Sequence, residues 1–169
     1  MSAVALVRWG LTSHNVDQTV DLGIQLGRML SGGDVICLSG DLGAGKTALT
    51  SGIGKGWGAL EPVNSPTFVF VHEHRRAADD TRLYHLDCYR LASEEDALSV
   101  GVEDILTGHD VVVIEWPERI ASFLPPECLW IHLDATDDIA ERRITLEATG
   151  PRYLALLDEL RSSTGDQIS

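Results

Sequence analysis

The chain has 169 residues, of which 44% are apolar and 23% charged, and a formal net charge of −13. That length favours one domain with one core, read as a folded body over residues 1–162 and a flexible tail over 163–169. The composition excludes a membrane-spanning helix, and the charge excludes a large autonomous grip on DNA or RNA, which needs clustered Lys and Arg.

Residues 4–9 read as a first strand. A helix follows over about 16–30, with Asp17, Gln18, Asp21, Gln25 and Arg28 on one arc and apolar residues on the rest. Asn15 with Gln18 three positions on is a capping pair at its start. Residues 35–38 form a short apolar strand that feeds a glycine-rich loop. A helix is expected from about Lys46, kept short by Gly52, Gly54, Gly56 and Gly58 and ending before Trp57. TFVFVHEH and RLYHLDCYRL alternate like two paired strands, with RRAADD as the turn between them. SEEDALSVGVEDIL reads as one or two short helices with Ser93 as N-cap. DVVVIEW is a buried strand, and PERIASF a helical turn with Pro117 in first position. LWIHLDA and RRITLEA are two more strands, and PRYLALLDELR a helix. Strands and helices mix with an inserted hairpin, so the expected architecture is an α/β sandwich on a mixed, partly parallel sheet.

The three cysteines, Cys37, Cys88 and Cys128, have no C-x-x-C spacing and read as buried thiols in a reducing compartment. The first residues lack the basic region and the unbroken apolar stretch of a signal peptide, so the expected location is the cytoplasm. The six histidines show no metal-ligand spacing beyond the pair His72 and His74, and structural or surface roles are expected for them.

The stretch GDLGAGKT, residues 40–47, fits G-x-x-x-x-G-K-[ST] in full. Glycines let successive backbone N–H groups turn inward around a phosphate. Lys46 reaches the outer phosphates, the Thr47 hydroxyl can bind Mg²⁺, and the helix that starts here points its positive end at the anion. Two acids can complete the metal site, because Glu115 ends the run VVVIE and Asp87 ends LYHLD, where strands deliver acids to the carboxyl edge of a sheet. One of them can touch the metal, directly or through water, while the other orients the attacking water. In NSPTF, residues 64–68, Pro66 stiffens a second loop whose Thr67 can offer a hydroxyl to the γ-phosphate or metal. Trp116 can wall the pocket or simply pack in the core.

Four segments, GDLGAGKT, SPTF, YHLDCYRL and VIEWPER, stand in this order, and together they resemble the TsaE (YjeE) family from about residue 13 to residue 133. The resemblance implies a P-loop NTPase-like three-layer fold with an atypical strand arrangement, ATP and Mg²⁺ as ligands, and weak hydrolysis by the isolated chain. It implies association with TsaB and TsaD family proteins. In that heterodimer TsaD moves a threonylcarbamoyl group to the tRNA adenosine beside the anticodon, while the ATPase supports or resets the machine. Carried over by position, Gly40, Asp41, Leu42, Gly43, Ala44, Gly45, Lys46 and Thr47 look like the phosphate loop, with Ala48 next in the helix. Thr67 looks like the switch-loop threonine, Asp87 the Walker-B-like aspartate, Glu115 the glutamate tied to Mg²⁺ and hydrolysis, and Trp116 a neighbour of the nucleotide. The segment SHNVDQT matches one that lies near the base, which makes His14 and Asp17 candidates there. Cys88 stands where the family usually has a bulky aliphatic residue. Beyond residue 133 the sequence diverges most, and the resemblance assigns no role to Arg142 or Arg143.

Two other readings share the phosphate loop. A small-molecule kinase would need an arginine-rich lid, and none stands near the acids. A nucleotide switch that binds partners without hydrolysis needs the same loop and the same acids. The net charge of −13 adds that tRNA should be met through partner proteins rather than by this chain alone.

Overall fold

The structure is a computed structural model that describes residues 5–63 and 70–165. The elements are β1 (Leu6–Ser13), α1 (Val16–Met29), β2 (Val35–Ser39), α2 (Lys46–Trp57), β3 (Val71–His74) and β4 (Leu83–Asp87). They continue with α3 (Glu94–Ser99), α4 (Val102–Leu106), β5 (Val111–Glu115), a 3-10 segment (Pro117–Phe123), β6 (Leu129–Ala135), β7 (Arg142–Thr149) and α5 (Pro151–Thr164).

Seven strands form one sheet in the order β1-β7-β6-β2-β5-β4-β3. The inner four, β6, β2, β5 and β4, run parallel; β3 pairs antiparallel with β4, β7 with β6, and β1 with β7. Strands β2 and β5 are apolar almost throughout and buried except at Ser39, as expected of parallel strands covered on both faces. On one face Leu22 and Leu26 of α1, Leu49 and Ile53 of α2, and Leu156 and Leu160 of α5 pack on Ile36, Leu38, Val113 and Ile131. The other face packs Cys37, Leu86, Val112 and Ile114 against Ala97, Val102 and Ile120. The result is three layers around a mixed sheet, the α/β class expected. All three cysteines are buried in it.

The start of α1 is built as read, with the Asn15 side chain accepting the Gln18 N–H. The Gln18 side chain reaches back to accept the His14 N–H. Ser93 likewise accepts the Asp96 N–H at the head of α3. β1 is longer than its expected span and runs to Ser13, because its whole length pairs with β7. α5 also runs on to Thr164, with Ser163 donating to the Gln25 side chain on α1.

The expected early end of α2 is corrected. The helix continues through Gly52, Gly54 and Gly56 for 12 residues. Gly52 and Gly56 form a seam with α1 rather than breaks, while Gly54 faces Val63. A Cβ on Gly52 would lie 2.2 Å from the Val20 carbonyl oxygen, and one on Gly56 would lie 1.9 Å from that of Ile24. Gly23 and Gly27 of α1 answer from the other side, meeting the Leu49 and Ile53 carbonyl oxygens at 2.4 and 2.2 Å. Backbone packed on backbone recovers enough contact to outweigh glycine's helix penalty of about 1 kcal/mol each. Only Gly58, at φ 95°, acts as the stop, donating its N–H back to Gly54 and Lys55.

At the opposite end of the sheet from the glycine loop, Arg152 donates to both oxygens of buried Asp34, at 3.0 and 2.7 Å. Tyr153 accepts the Val35 N–H through its hydroxyl. These bonds fix where α5 and the start of β2 meet.

Candidate functional site

The loop between β2 and α2 opens at the carboxyl end of the parallel strands. Gly40, Gly43 and Gly45 hold φ of 150°, 80° and 104°, which a side chain at Gly43 or Gly45 would strain. Gly40 is also forced by space, since a Cβ there would lie 2.5 Å from the Leu133 carbonyl oxygen. The Ala44 N–H bonds the Asp41 carbonyl and closes the loop's first turn. No side chain caps α2 at Gly45, so the helix opens directly from the loop.

A cleft of about 650 Å³ lies over this loop, walled by Leu42, Gly43, Gly45, Lys46, Thr47, Ala48, Asp87, Glu115 and Trp116, with Val16, Val20, Ser51 and Tyr89. The structure thus brings together Lys46, Thr47, Asp87, Glu115 and Trp116, which are far apart in sequence. Asp87 and Glu115 are direct partners in the parallel pairing of β4 and β5. Gly40, Asp41 and Ala44 belong to the loop but do not line the cleft. Asp17 lines a smaller adjoining cavity of about 440 Å³ with Asn15, Thr19, Ile139 and Arg142. His14 lines neither cavity and sits 3.6 Å from Glu141 instead. Thr67 lies outside the described residues.

The Lys46 ammonium donates to the Gly40 carbonyl and sits 3.8 Å from the centre of the Trp116 ring. Burial pushes it below the ordinary lysine range, while Glu115, Glu118, Asp87 and Asp41 pull the other way. Trp116 also meets Tyr89, with ring centres 5.1 Å apart. Glu115 is 4% exposed, and its Oε2 accepts from His85 Nε2 at 2.6 Å. Asp87 Oδ1 accepts the Tyr89 N–H and so turns the chain back beside the cleft. Ser39 donates to Glu118 at 2.9 Å, which holds that acid near the end of β2.

Several residues here escape sequence reasoning. Arg142 donates to the Ala44 carbonyl at 3.1 Å and to the Gly43 carbonyl at 3.3 Å, clasping the glycine loop from the start of β7. Nothing local marks it, because the contact spans 98 positions. His85 sits in a strand among apolar neighbours. Its signal was its place two before Asp87, hence on the same face of β4. Tyr89 follows Asp87 by the same spacing. The pair His72 and His74 shares a face as expected, and burial lowers both pKa values. Among the described residues no group of three His, Cys, Asp or Glu is arranged to hold a metal by itself. None of the helices among them is long and apolar enough to cross a membrane.

The family model "Threonylcarbamoyl adenosine biosynthesis protein TsaE" matches residues 13–144. The chain is 42% identical over 137 residues to the tRNA threonylcarbamoyladenosine biosynthesis protein TsaE of Bacillus subtilis, covering 81% of this chain and 82% of that protein. It is 40% identical over 134 residues to the protein of the same name from Treponema pallidum, covering 79% of this chain and 96% of that one. The crystal structure of YdiB from Bacillus subtilis superposes with a TM-score of 0.76 at 31% identity, covering 98% of this chain and all of that one. Fold, loop geometry and sequence agree, and the chain belongs to the TsaE family.

Proposed function

We propose that the chain is an ATP-hydrolysing subunit, weak alone, that works in the cytoplasm with TsaB and TsaD family proteins to form threonylcarbamoyladenosine on the tRNA adenosine beside the anticodon. The observation that carries this reading is the meeting of Lys46, Thr47, Asp87 and Glu115 in one cleft at the uncapped head of α2. Backbone N–H groups of the loop and first turn would bind the β- and γ-phosphates of ATP, aided by the Lys46 charge.

The residues present also suit Mg²⁺. Two acids, Asp87 and Glu115, line the cleft beside the single Lys46 ammonium, so it has negative charge that a divalent cation would balance. The Thr47 hydroxyl and the Glu115 carboxylate would hold it, with Asp87 as direct or water-mediated support. Bound there, the ion would supply positive charge to the phosphate oxygens of the nucleotide. Glu115 and Asp87 are partners across β4 and β5, so one would support the metal while the other would orient the attacking water. Trp116 and Tyr89 wall the cleft against bulk solvent.

With a net charge of −13, the chain offers tRNA little, and its partners are assigned the tRNA contact. Depletion of the protein should reduce threonylcarbamoyladenosine in cellular tRNA, and calorimetry should register Mg·ATP uptake that Lys46→Ala abolishes. Intact modification in depleted cells would remove the biological role. Hydrolysis held at the uncatalysed level even with the TsaB–TsaD heterodimer would leave a nucleotide switch in place of an ATPase.

A further inference from the structure

We infer that His85 is a positioning residue for Glu115, tying down one carboxylate oxygen from behind so that the other is presented to the cleft. The inference rests on the proposed role of Glu115 in hydrolysis. It begins with register. β4 and β5 pair in parallel with His85 opposite Val113 and Asp87 opposite Glu115. His85 is therefore the diagonal neighbour of Glu115, on the face that carries α1 and α2, and within reach of a long side chain. The bond is 2.6 Å, between His85 Nε2 and Glu115 Oε2.

Burial separates the two members. His85 is fully buried and is not part of the cleft wall, whereas Glu115 is. The ring reaches nothing that enters the cleft except through Glu115. Among the described residues that bond is the only one either side chain makes, and His85 Nδ1 is buried without a partner. A polar ring left half-satisfied in a core is a liability that leucine would not carry. What leucine cannot do is donate a hydrogen bond to a carboxylate at the end of a buried strand. With a carboxylate as acceptor, Nε2 is the donor, which assigns the Nε2–H tautomer. Glu115 shares the cleft wall with Lys46, so its orientation bears on the cation of the cleft as well.

The test uses the full chain with the TsaB–TsaD heterodimer and four variants: His85→Leu, His85→Gln, Glu115→Gln and the double variant His85→Leu with Glu115→Gln. His85→Leu should slow single-turnover ATP hydrolysis by about 10-fold to 100-fold and raise the Mg²⁺ concentration for half-maximal rate. Binding of ADP without metal should be unchanged. His85→Gln, which keeps an N–H donor at the same reach, should regain most of the rate. Adding His85→Leu to Glu115→Gln should cost nothing further. Independently of activity, long-range ¹H–¹⁵N spectra of the unmodified chain should show His85 as the Nε2–H tautomer, with the Nε2 resonance moving in Glu115→Gln. A wild-type rate and Mg²⁺ dependence in His85→Leu would overturn the inference. So would an Nδ1–H tautomer, which needs no variant to fold. If Glu115→Gln itself hydrolyses ATP normally, the proposed role of Glu115 fails, while the spectra still decide whether His85 holds it.

Discussion

Lys46 rests its ammonium on the face of Trp116, 3.8 Å from the ring centre, while donating to the Gly40 carbonyl. Trp116 is the one non-glycine residue with positive φ among those described, at 58°. Holding tryptophan there costs about 1–2 kcal/mol, so the surroundings dictate its pose. A cation over a shielded ring returns about 2 kcal/mol. Phosphates that draw Lys46 toward the loop must lift it from the ring. Addition of Mg·ATP is therefore expected to change tryptophan emission. Trp116→Phe should abolish the change although three of the four tryptophans remain. An unaltered spectrum at saturating nucleotide would mean that the ammonium stays on the ring.

The same lysine should weaken the empty protein. Burial is the largest influence on Lys46 and lowers its pKa in the folded state. Between the folded value and the unfolded value of about 10.4, the unfolded chain holds more protons, so stability rises with pH through that window. Below the folded value, the cost of burying the charge is present in full. Lys46→Met should raise the melting temperature without nucleotide by about 2–4 °C at pH 7, or about 1 kcal/mol, and flatten the alkaline rise. Calorimetric melting across pH tests this, and a lower melting temperature at pH 7 would show that the bonds to Gly40 and Trp116 outweigh desolvation.

Arg142 gives the loop a second anchor. Its guanidinium bonds the carbonyls of Gly43 and Ala44 in the loop and those of Ile139 and Glu141 beside β7. Arg142 takes up two loop carbonyls and no loop N–H, so the clasp can preorganise the donors without occupying them. Arg142→Ala should weaken ATP binding about 10-fold, equivalent to about 1.4 kcal/mol, with small effect on the melting temperature. Titration calorimetry reads it directly, and unchanged affinity would show that the loop holds its shape unaided.

What was legible in the sequence follows from where its causes lie. The loop, Asp87 and Glu115 each stand at the boundary between an apolar strand and the next segment, a local pattern that also fixes their place at the sheet's carboxyl edge. The caps at Asn15 and Ser93 are local too. The bond between His85 and Glu115 depends on which strand lies beside β4 and in what register, and neither is written within β4. Arg142 reaches the loop only because β6 and β7 return beside β2. The length of α2 was misread for a related reason. Glycine in a helix is a penalty locally and an asset only where a second helix packs against it.

That seam gives the sharpest contrast between propensity and packing. By helix propensity, Gly56→Ala should stabilise α2 by about 1 kcal/mol. The structure places the new Cβ 1.9 Å from the Ile24 carbonyl oxygen, backbone that cannot yield without parting α1 from α2. The substitution is expected to destabilise by about 2–3 kcal/mol, and Gly27→Ala, which meets the Ile53 carbonyl oxygen at 2.2 Å, by a similar amount. Gly10 is the control, since a Cβ in this β1 position meets nothing within 4 Å. Gly10→Ala should be neutral or stabilising by a few tenths of a kcal/mol, as glycine weakens a strand. Urea unfolding of the three variants separates the cases. A Gly56→Ala protein as stable as the parent would mean that the two helices stand further apart than described, and that α2 owes its length to something other than the seam.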